Sequence, residues 1–188
     1  MSGLAPSEDD LIAAARGGDA AAFEAIVRLH GPAMRRVARA ITGDDALADD
    51  AWQDAFVAAH RALAGYRGQG SLRAWLLAIV RNAARKLLRE RSGHDDEPEV
   101  FTLGLAAGWG EASPEDVAVA SRDRAQLWAA LDRLEPDDRE LLVLRDLEGQ
   151  SGDEVAAALG IALSAMKSRL HRARLRLLAA LTHPGGPR

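Results

Sequence analysis

Cysteine is missing from the chain altogether, and aromatic side chains make up only 4% of it. Without thiols there can be no disulfide framework, thiolate metal site or cysteine nucleophile, so the fold must depend on apolar cores. Long hydrophobic runs are also missing: the longest covers residues 74–80, far short of the roughly 20 residues that a membrane span needs. No basic, apolar leader opens the sequence either. These absences predict a protein of a reducing cytoplasm with no membrane insertion.

Charge is abundant and is arranged in blocks of one sign. The net charge is only -4, yet residues 44–54 hold five Asp and no base. Residues 67–91 hold seven Lys or Arg against the single acid Glu90. Residues 92–116 hold seven acids and no Lys or Arg, and residues 164–178 hold five Lys or Arg and no acid. Such runs often mark solvated faces, but alternating patches of this strength also fit docking surfaces for oppositely charged partners.

The apolar spacing of the first half is typical of helices. Ser7 and Asp10 form a capping-box pattern, and Gly31-Pro32 predicts a break between a second and a third helix. Ser71 can cap a later helix that carries arginines at i, i+4 and i+8 along one face. In between, apolar residues recur every three to four positions at Leu47, Ala51, Trp52, Ala55, Phe56, Ala59 and Leu63. These patterns predict one compact helical domain.

Helical periodicity disappears between residues 92 and 113, where Gly, Pro and acids are mixed in the manner of a linker. Beyond it, Ser113-Pro114 and Pro136 each precede a new apolar pattern. We therefore expect an all-α protein of two small helical domains, joined by a flexible acidic linker, whose halves move independently in the free protein. The predicted bounds are 1–91 for the first domain, 92–113 for the linker, 114–182 for the second domain and 183–188 for a disordered tail.

The last part of the second domain has the pattern of a helix-turn-helix motif. Ser151 and Glu154 form a capping box before a short helix, Gly160 begins a three-residue turn, and Ser164 can cap the long basic helix that follows. The first two turns of such a helix contact base edges in the major groove of DNA. A solvated basic face is the alternative, which the capped helix and turn before it disfavour. The two turns hold Lys167, Ser168, His171 and Arg172, and Arg174 and Arg176 follow where phosphate contacts would dominate.

Two blocks of sequence carry a family resemblance. One is LEPDDRELLVLRDLEGQSGDEVAAALGIALSAMKSRLHRARLRL, and the other runs through FEAIVRLHGPAMRRVARAITGD, DDAWQDAF and YRGQGSLRAWLLAIVRNAARKLLRER. They resemble the fourth and second conserved regions of the extracytoplasmic-function sigma factors, the minimal two-domain promoter-recognition subunits of bacterial RNA polymerase. The blocks cover most of residues 8–91 and 114–181. Their co-occurrence is more specific than a helix-turn-helix alone.

The resemblance implies a role for each charged patch. In this family an acidic helix of the second region docks on the clamp helices of core RNA polymerase, which implies core-polymerase binding by Asp49, Asp50, Gln53 and Asp54. The residues implied for duplex minus-35 DNA are Ser164, Lys167, Ser168, Arg169, His171 and Arg172. Those implied for the melted minus-10 element are Tyr66, Arg67, Gln69, Ser71, Arg81, Asn82, Arg85, Lys86 and Arg89, with Asn82 matching a position that contacts a captured base.

Tyr66, the only tyrosine of the chain, allows two interpretations. It lies in the glycine-rich loop before the basic helix, where an aromatic ring could stack on an unpaired base. It could equally be tucked against the helical core.

The resemblance also implies what the protein works with. Its partners would be core RNA polymerase, promoter DNA as a minus-35 duplex and a melted minus-10 strand, and an anti-sigma factor. We expect transcription initiation in a bacterial cytoplasm, with no catalytic residue, metal or cofactor. Control in trans is expected because no regulatory domain is recognised before the final THPGGPR.

Several positions depart from the family pattern. Trp52 stands where a small aliphatic residue is usual, Gly152-Asp153 where an aromatic and an acid are common, and Ala165-Met166 where Thr-Val is usual. The first could alter packing beneath the polymerase-facing helix. The last could change how the minus-35 element is read.

Two other classes of protein stay open. A helix-turn-helix repressor or activator that never touches polymerase would explain residues 151–181, but neither the acidic helix nor the basic loop and helix. An all-helical enzyme is suggested by DDALAD and DDAWQD, which look like aspartate-rich helices that hold magnesium pyrophosphate. Against it, no second aspartate-rich helix is found and the five His lack ligand spacing.

Overall fold

The computed structural model describes residues 6–68, 70–92 and 116–183, with side chains of the last range from residue 123 onward. Within these ranges every regular element is helical, which confirms the all-α class. No helix among the described residues is long and apolar enough to cross a membrane. Gln69, linker residues 93–113 and tail residues 184–188 lie outside the description. The elements are α1 (Glu8–Arg16), α2 (Ala20–Thr42), α3 (Asp45–Ala62), a 3-10 turn (Leu63–Gly65), α4 (Leu72–Ser92), α5 (Asp116–Leu131), α6 (Pro136–Leu142), a π-helical turn (Val143–Leu147), α7 (Gly152–Leu159) and α8 (Leu163–Thr182).

The predicted break at Gly31-Pro32 is wrong, because α2 runs through it without interruption. Pro32 has no N–H, and a proline in a helix interior costs about 3 kcal/mol. The apolar face nevertheless continues in register on both sides of the proline, so that Ile26 and Val37 are both buried. Burial of one continuous face outweighs the local cost of the proline.

Helices α2, α3 and α4 pack against one another and form the centre of the N-terminal half. Small side chains on the inner face of α3 let its neighbours approach closely. The predicted caps are present: Ser7 and Asp10 form the capping box of α1, and the Ser71 hydroxyl accepts a hydrogen bond from the Ala74 N–H at 3.1 Å. The buried residues of α3 are Ala48, Ala51, Ala55 and Ala59.

The C-terminal half contains the predicted helix-turn-helix, formed by α7, its turn and α8. Ser151 and Glu154 form a capping box at the start of α7, and Gly160 ends it in the left-handed region with φ 66°. The predicted cap at Ser164 is wrong. Helical backbone begins at Leu163, whose side chain packs against the core, so Ser164 lies inside the first turn of α8.

Two of the residues that depart from the family pattern, Trp52 and Met166, each lie against a glycine of another helix. The indole of Trp52 lies over Gly31, where a Cβ would be 3.5 Å from the indole Nε1. A Cβ on Gly152 would lie 3.0 Å from Cε of Met166, a side chain that is fully buried. Met166 therefore fills space that Gly152 leaves open, whereas a Cβ at position 31 would make an ordinary van der Waals contact with the indole of Trp52. The helix pattern is unchanged at both places.

The two halves pack against each other, with α6 and the π-helical turn lying on α2. The Arg139 Nε donates to the Ala40 carbonyl at 2.5 Å, and Arg39 forms two hydrogen bonds with Asp132 at 2.9 and 2.8 Å. The halves are in contact in this structure, and their independent motion in the free protein stays a prediction. Buried apolar side chains of both halves form one cluster there, and complementary charges on surfaces far apart in sequence, described below, add to the contact.

Candidate nucleic-acid and polymerase interfaces

The outer face of α8 carries most of the residues predicted for duplex DNA. Met166, Leu170 and Ala173 are buried on the inner face, which turns the other side of the helix to solvent. Lys167 and Arg172 form no ion pair within the described residues, so their charges are available to a ligand. The exposed members of the predicted set are Ser164, Lys167, Ser168, His171 and Arg172.

Three other arginines of α8 are already paired within the same half. The Arg169 Nε donates to Asp138 at 2.7 Å, and Arg176 donates to the second oxygen of the same carboxylate. Arg174 forms two hydrogen bonds with Asp146 at 2.9 and 2.5 Å. Arg169, predicted to contact duplex DNA, therefore holds α8 against α6, as Arg176 does.

Asp138 is charged although its side chain is only 2% exposed. Burial by itself raises the pKa of this carboxyl group, but the hydrogen bonds and positive charges of Arg169 and Arg176 outweigh burial and lower it. The carboxylate is therefore a fixed anchor for the helix that carries the DNA-binding face.

The acidic face predicted for core polymerase lies on α3. Asp50, Gln53 and Asp54 are exposed there. Asp49 instead accepts a hydrogen bond from the Arg35 Nε at 2.5 Å, and this bond lowers the pKa of Asp49. Three of the four predicted residues are thus free for a partner, whereas the fourth joins α3 to α2.

The aspartate-rich segment at the start of α3 has structural roles. The Asp44 carboxylate caps the helix by accepting a hydrogen bond from the Leu47 N–H at 2.9 Å, and Asp49 pairs with Arg35. Asp45 is also within 3.4 Å of Arg35. These contacts account for three of the aspartates that the magnesium-enzyme alternative depends on.

A groove of about 950 Å³ lies between α3 and α4. One wall carries Asp54 of the acidic face, and Asn82, predicted to contact a captured base, is exposed on the other. The predicted phosphate-binding residues Arg85, Lys86 and Arg89 also line it. The structure therefore brings the predicted minus-10 residues of α4 next to the predicted polymerase-binding face.

Tyr66 is tucked against the core, the second of its two interpretations. Tyr66 is only 7% exposed, and its ring centroid lies 5.2 Å from that of Trp75. Its hydroxyl donates a hydrogen bond to the Gly70 carbonyl at 2.7 Å. Burial, together with the charges of two nearby acids of α1, raises the pKa of the hydroxyl. Stacking on a base would require the ring to leave this site. Arg67 is exposed beside it, and the Ser71 hydroxyl is used to cap α4.

Arginines of the N-terminal half hold two glutamates of the C-terminal half. Glu140 accepts from the Arg81 Nε at 2.6 Å and from the Arg85 Nη2 at 2.7 Å. Glu148 accepts from the Arg36 Nε at 2.6 Å and from Arg73. Sequence reasoning placed Arg81 and Arg85 on DNA and did not single out the others, because no local spacing links residues 55 to 112 positions apart.

A helix-turn-helix with an exposed basic face, together with a second basic helix and an exposed acidic face, is typical of a helical DNA-binding protein. Comparisons with known families agree with this class. Residues 26–93 match the model of Sigma-70 region 2, and residues 124–177 match the model of Sigma-70 region 4.

Similar proteins cover nearly the whole chain. RNA polymerase sigma factor CnrH of Cupriavidus metallidurans is 35% identical over 183 residues, which is 94% of this chain and 96% of CnrH. ECF RNA polymerase sigma factor SigM of Mycobacterium tuberculosis is 34% identical over 175 residues, 93% of this chain and 85% of SigM. The chain belongs to the extracytoplasmic-function sigma factors of RNA polymerase, as its sequence predicted. Its function is to direct transcription initiation with core RNA polymerase and promoter DNA.

Two solved structures resemble the fold. One is CnrH in complex with the cytosolic domain of CnrY, at 32% identity and a TM-score of 0.62, covering 92% of this chain and 95% of that one. The other is the sigma factor RpoE in complex with the anti-sigma factor NepR from Bartonella quintana, at 28% identity and a TM-score of 0.63, covering 85% and 96%.

Proposed function

We propose that α8 reads the minus-35 element of the promoter as duplex DNA. The observation that carries this proposal is the row of exposed residues on the first turns of α8, where Lys167 and Arg172 form no ion pair with any residue that the structure describes. Lys167 and His171 lie one turn apart, a spacing that presents both to the floor of the major groove. The Ser164 and Ser168 side chains flank them and complete the contact face.

The N-terminal half is proposed to serve polymerase and the minus-10 element. Asp50, Gln53 and Asp54 would dock on a basic surface of core polymerase, because exposed acids favour such a partner and steer it into place. Asn82 would contact a captured base, and the basic residues around it would follow the phosphates of the melted strand. The chain would perform no catalysis of its own and would act in the cytoplasm.

The domain bounds and the mode of control are also proposals. We assign residues 1–91 to the polymerase and minus-10 domain, 92–113 to the linker and 114–182 to the minus-35 domain, with 183–188 as a tail. Regulation by an anti-sigma factor is supported by the two similar structures, one of which contains the cytosolic domain of CnrY and the other NepR. An anti-sigma factor of this chain should inhibit initiation in a reconstituted assay in proportion to its concentration.

One experiment separates this proposal from a repressor that never touches polymerase. The full-length protein is added to sigma-free core RNA polymerase with a genomic DNA library, and transcript start sites are sequenced. We expect starts at promoters that share two elements at a fixed spacing. DNA binding without any initiation would favour the repressor.

Templates with a varied spacer test whether both halves read one promoter. Two elements held by a single sigma factor on polymerase should tolerate spacer changes of several base pairs poorly. Initiation that is indifferent to the spacing would show that the two halves do not act on the same promoter.

A further inference from the structure

Tyr66 connects three parts of the N-terminal half. Its N–H donates to the Leu63 carbonyl at 3.1 Å, at the end of the 3-10 turn that follows α3. Its ring lies beside Trp75 in the first turn of α4, and its hydroxyl donates to the Gly70 carbonyl. Tyr66, Gly70 and Trp75 are called the Tyr66 tie below. The tie holds the short loop between the 3-10 turn and α4 at both of its ends.

The Gly70 carbonyl depends on this donor. Gly70 is buried, and leaving a buried carbonyl without a hydrogen bond costs more free energy than the bond itself contributes. Its φ of 96° lies in the left-handed region, which favours glycine, so the direction of this carbonyl is not that of a helix or a strand. Ser71 follows directly and caps α4. The tie therefore also helps to fix where α4 begins.

Arg67 lies between the two tied ends of the loop. It is exposed and forms no ion pair with any residue that the structure describes, so its charge is available to a phosphate. On the side of α1, Glu8 and Asp9 line a cavity of about 320 Å³ together with Arg67. Because carboxylates repel phosphates, a nucleic-acid strand would have to reach Arg67 from the side away from α1. A loop held at both ends loses less conformational entropy when it binds.

Stacking of the Tyr66 ring on a base would break the tie. The ring would have to leave Trp75 and its buried site, and the Gly70 carbonyl would lose its donor. Both losses would offset much of the free energy that stacking on one base contributes. The geometry therefore favours a ring that stays in the core while the loop around it contacts the strand.

We propose that Tyr66 is a positioning residue for the melted minus-10 strand. Its hydroxyl and ring hold the loop on α4 so that Arg67 is presented in one place, and the ring itself does not contact a base. This role in strand binding rests on the proposed function of the loop and of α4, whereas the Tyr66 tie itself does not.

Removal of the hydroxyl alone separates positioning from stacking. Holoenzymes are assembled from core polymerase and full-length variants, and their affinity for a fluorescent single-stranded oligonucleotide is measured. The oligonucleotide has about 12 nucleotides and carries the non-template sequence of a promoter that the holoenzyme uses. Tyr66→Phe should bind it about fivefold more weakly, the equivalent of one hydrogen bond, with unchanged affinity for minus-35 duplex DNA. If the ring stacked on a base, Tyr66→Phe would bind like the parent and Tyr66→Ala about tenfold more weakly.

Thr42→Val is the matched control. It removes another hydroxyl that donates to a backbone carbonyl, that of Ala38 at 3.0 Å, at the C-terminal end of α2. Its affinity for the oligonucleotide should equal that of the parent. Circular dichroism of each variant shows that it is folded, and Tyr66→Phe keeps the buried ring, so the test does not depend on Tyr66→Ala.

The position of the ring is read directly, because Tyr66 is the only tyrosine of the chain. Full-length protein made with meta-fluorotyrosine gives one fluorine NMR signal. The difference between its chemical shift in the parent and in Trp75→Leu reports the contact between the two rings. We expect this difference both in the free protein and with saturating oligonucleotide. Its loss when the oligonucleotide binds would show that the ring leaves the core, and would overturn the positioning role.

Failure of the proposed function gives a different pattern. Asn82→Ala and Arg89→Ala should weaken oligonucleotide binding if α4 contacts the melted strand. Weaker binding by these two variants with unchanged binding by Tyr66→Phe would refute the positioning role alone. Unchanged binding by all three variants would refute the proposed role of α4 and, with it, the positioning role of Tyr66.

Discussion

The faces proposed for core polymerase and for minus-35 DNA carry opposite charges and lie on different halves of the molecule. In the N-terminal half, α3 exposes Asp50 and Asp54, while Arg81 of α4 is buried against the other half. In the C-terminal half the arrangement is reversed: α8 exposes Lys167, while Glu140 of α6 is buried. Each of these two faces therefore carries the charge opposite to that of its proposed partner: acidic on α3 for a basic polymerase surface, and basic on α8 for duplex DNA.

The comparison teaches that a block of like charges is not by itself a binding face. Basic residues of α4 and α8 look alike in sequence. Arg81 is neutralised by an acid of the other half, Arg169 by an acid of its own half, and Lys167 by no acid within the described residues. Availability to a ligand depends on where the nearest carboxylate lies in space.

The ion pairs between α6 and α8 provide the prediction with the largest expected effect. Asp138→Ala removes a buried carboxylate that two arginines of α8 share. Loss of one partner of a buried pair should lower the free energy of unfolding by about 3 kcal/mol, as measured by urea denaturation.

Asp137→Ala is the matched control for this change. Its carboxylate is 60% exposed and 3.2 Å from Arg169, so its loss should cost at most about 1 kcal/mol. Equal destabilisation by the two variants would show that Asp138 is no special anchor.

Charge reversal on α3 tests the acidic side of the comparison. Asp50→Lys with Asp54→Lys should weaken core polymerase binding about 100-fold, or about 2.7 kcal/mol, because like charges would then face each other. Binding is measured by fluorescence anisotropy with labelled protein, after circular dichroism has shown that the variant is folded. Glu24→Lys on α2 serves as the control, since it reverses an exposed acid away from this face. Unchanged affinity of the folded double variant would remove polymerase docking from α3.

Packing inside the helix-turn-helix is expected to have a somewhat smaller effect. Gly152→Leu places a side chain against Cε of Met166 and Cδ1 of Leu163, and such overpacking should destabilise the protein by about 2 kcal/mol. Met166→Val should recover at least half of that loss by making room. Strictly additive effects in the double variant, measured by thermal unfolding, would contradict the coupling.

The free bases of α8 should differ from the paired ones in DNA specificity. Lys167→Ala or His171→Ala should change the preference among minus-35 sequences by about 1 to 2 kcal/mol if a base-edge contact is lost. Arg174→Ala removes a charge that is paired with Asp146 and should weaken all sequences alike and only slightly. Arg176→Ala should likewise act on all sequences alike. Identical behaviour of all four variants across a library of duplexes would refute the register of α8.

Lowering the pH should destabilise the two halves at different pH values. Of the changes predicted here, this loss of stability is the smallest. His30 of the N-terminal half is buried with its Nε2 2.9 Å from Glu8, and burial, together with the positive charge of Arg73, lowers its pKa more than Glu8 raises it. The folded state therefore favours neutral imidazole, and stability should fall slightly as the pH drops below about 6.5, the ordinary value for His.

In the C-terminal half, the pKa of Asp138 is lowered by its arginines. The stabilisation that the Asp138 carboxylate provides should be complete above about pH 3.9. It should disappear only as the pH falls through the lower pKa that this group has in the folded state.

Urea unfolding at a series of pH values should show a loss of stability near neutrality that His30→Gln abolishes. A loss that persists in His30→Gln would assign it to another group.

Local patterns predicted a large part of the fold and of the site. Capping pairs such as Ser151 with Glu154 lie three residues apart and decide where a helix begins. The buried row through Met166 and Leu170 determines which side of α8 faces solvent, so Lys167 was placed on the outer face from spacing alone. Local patterns were wrong at Pro32 and at Ser164, where burial of neighbouring apolar residues outweighed the local preference.

The sequence by itself therefore determined the helices, the helix-turn-helix and the family, because these depend on contacts within a few residues and on motifs in order. Only the tertiary structure decided that Tyr66 is buried, that Arg169 holds α8, and that Arg81 and Glu140 join the halves. The physical reason is distance along the chain. A partner 59 residues away leaves no periodic pattern in the sequence, and packing of the whole chain is what brings the two charges together.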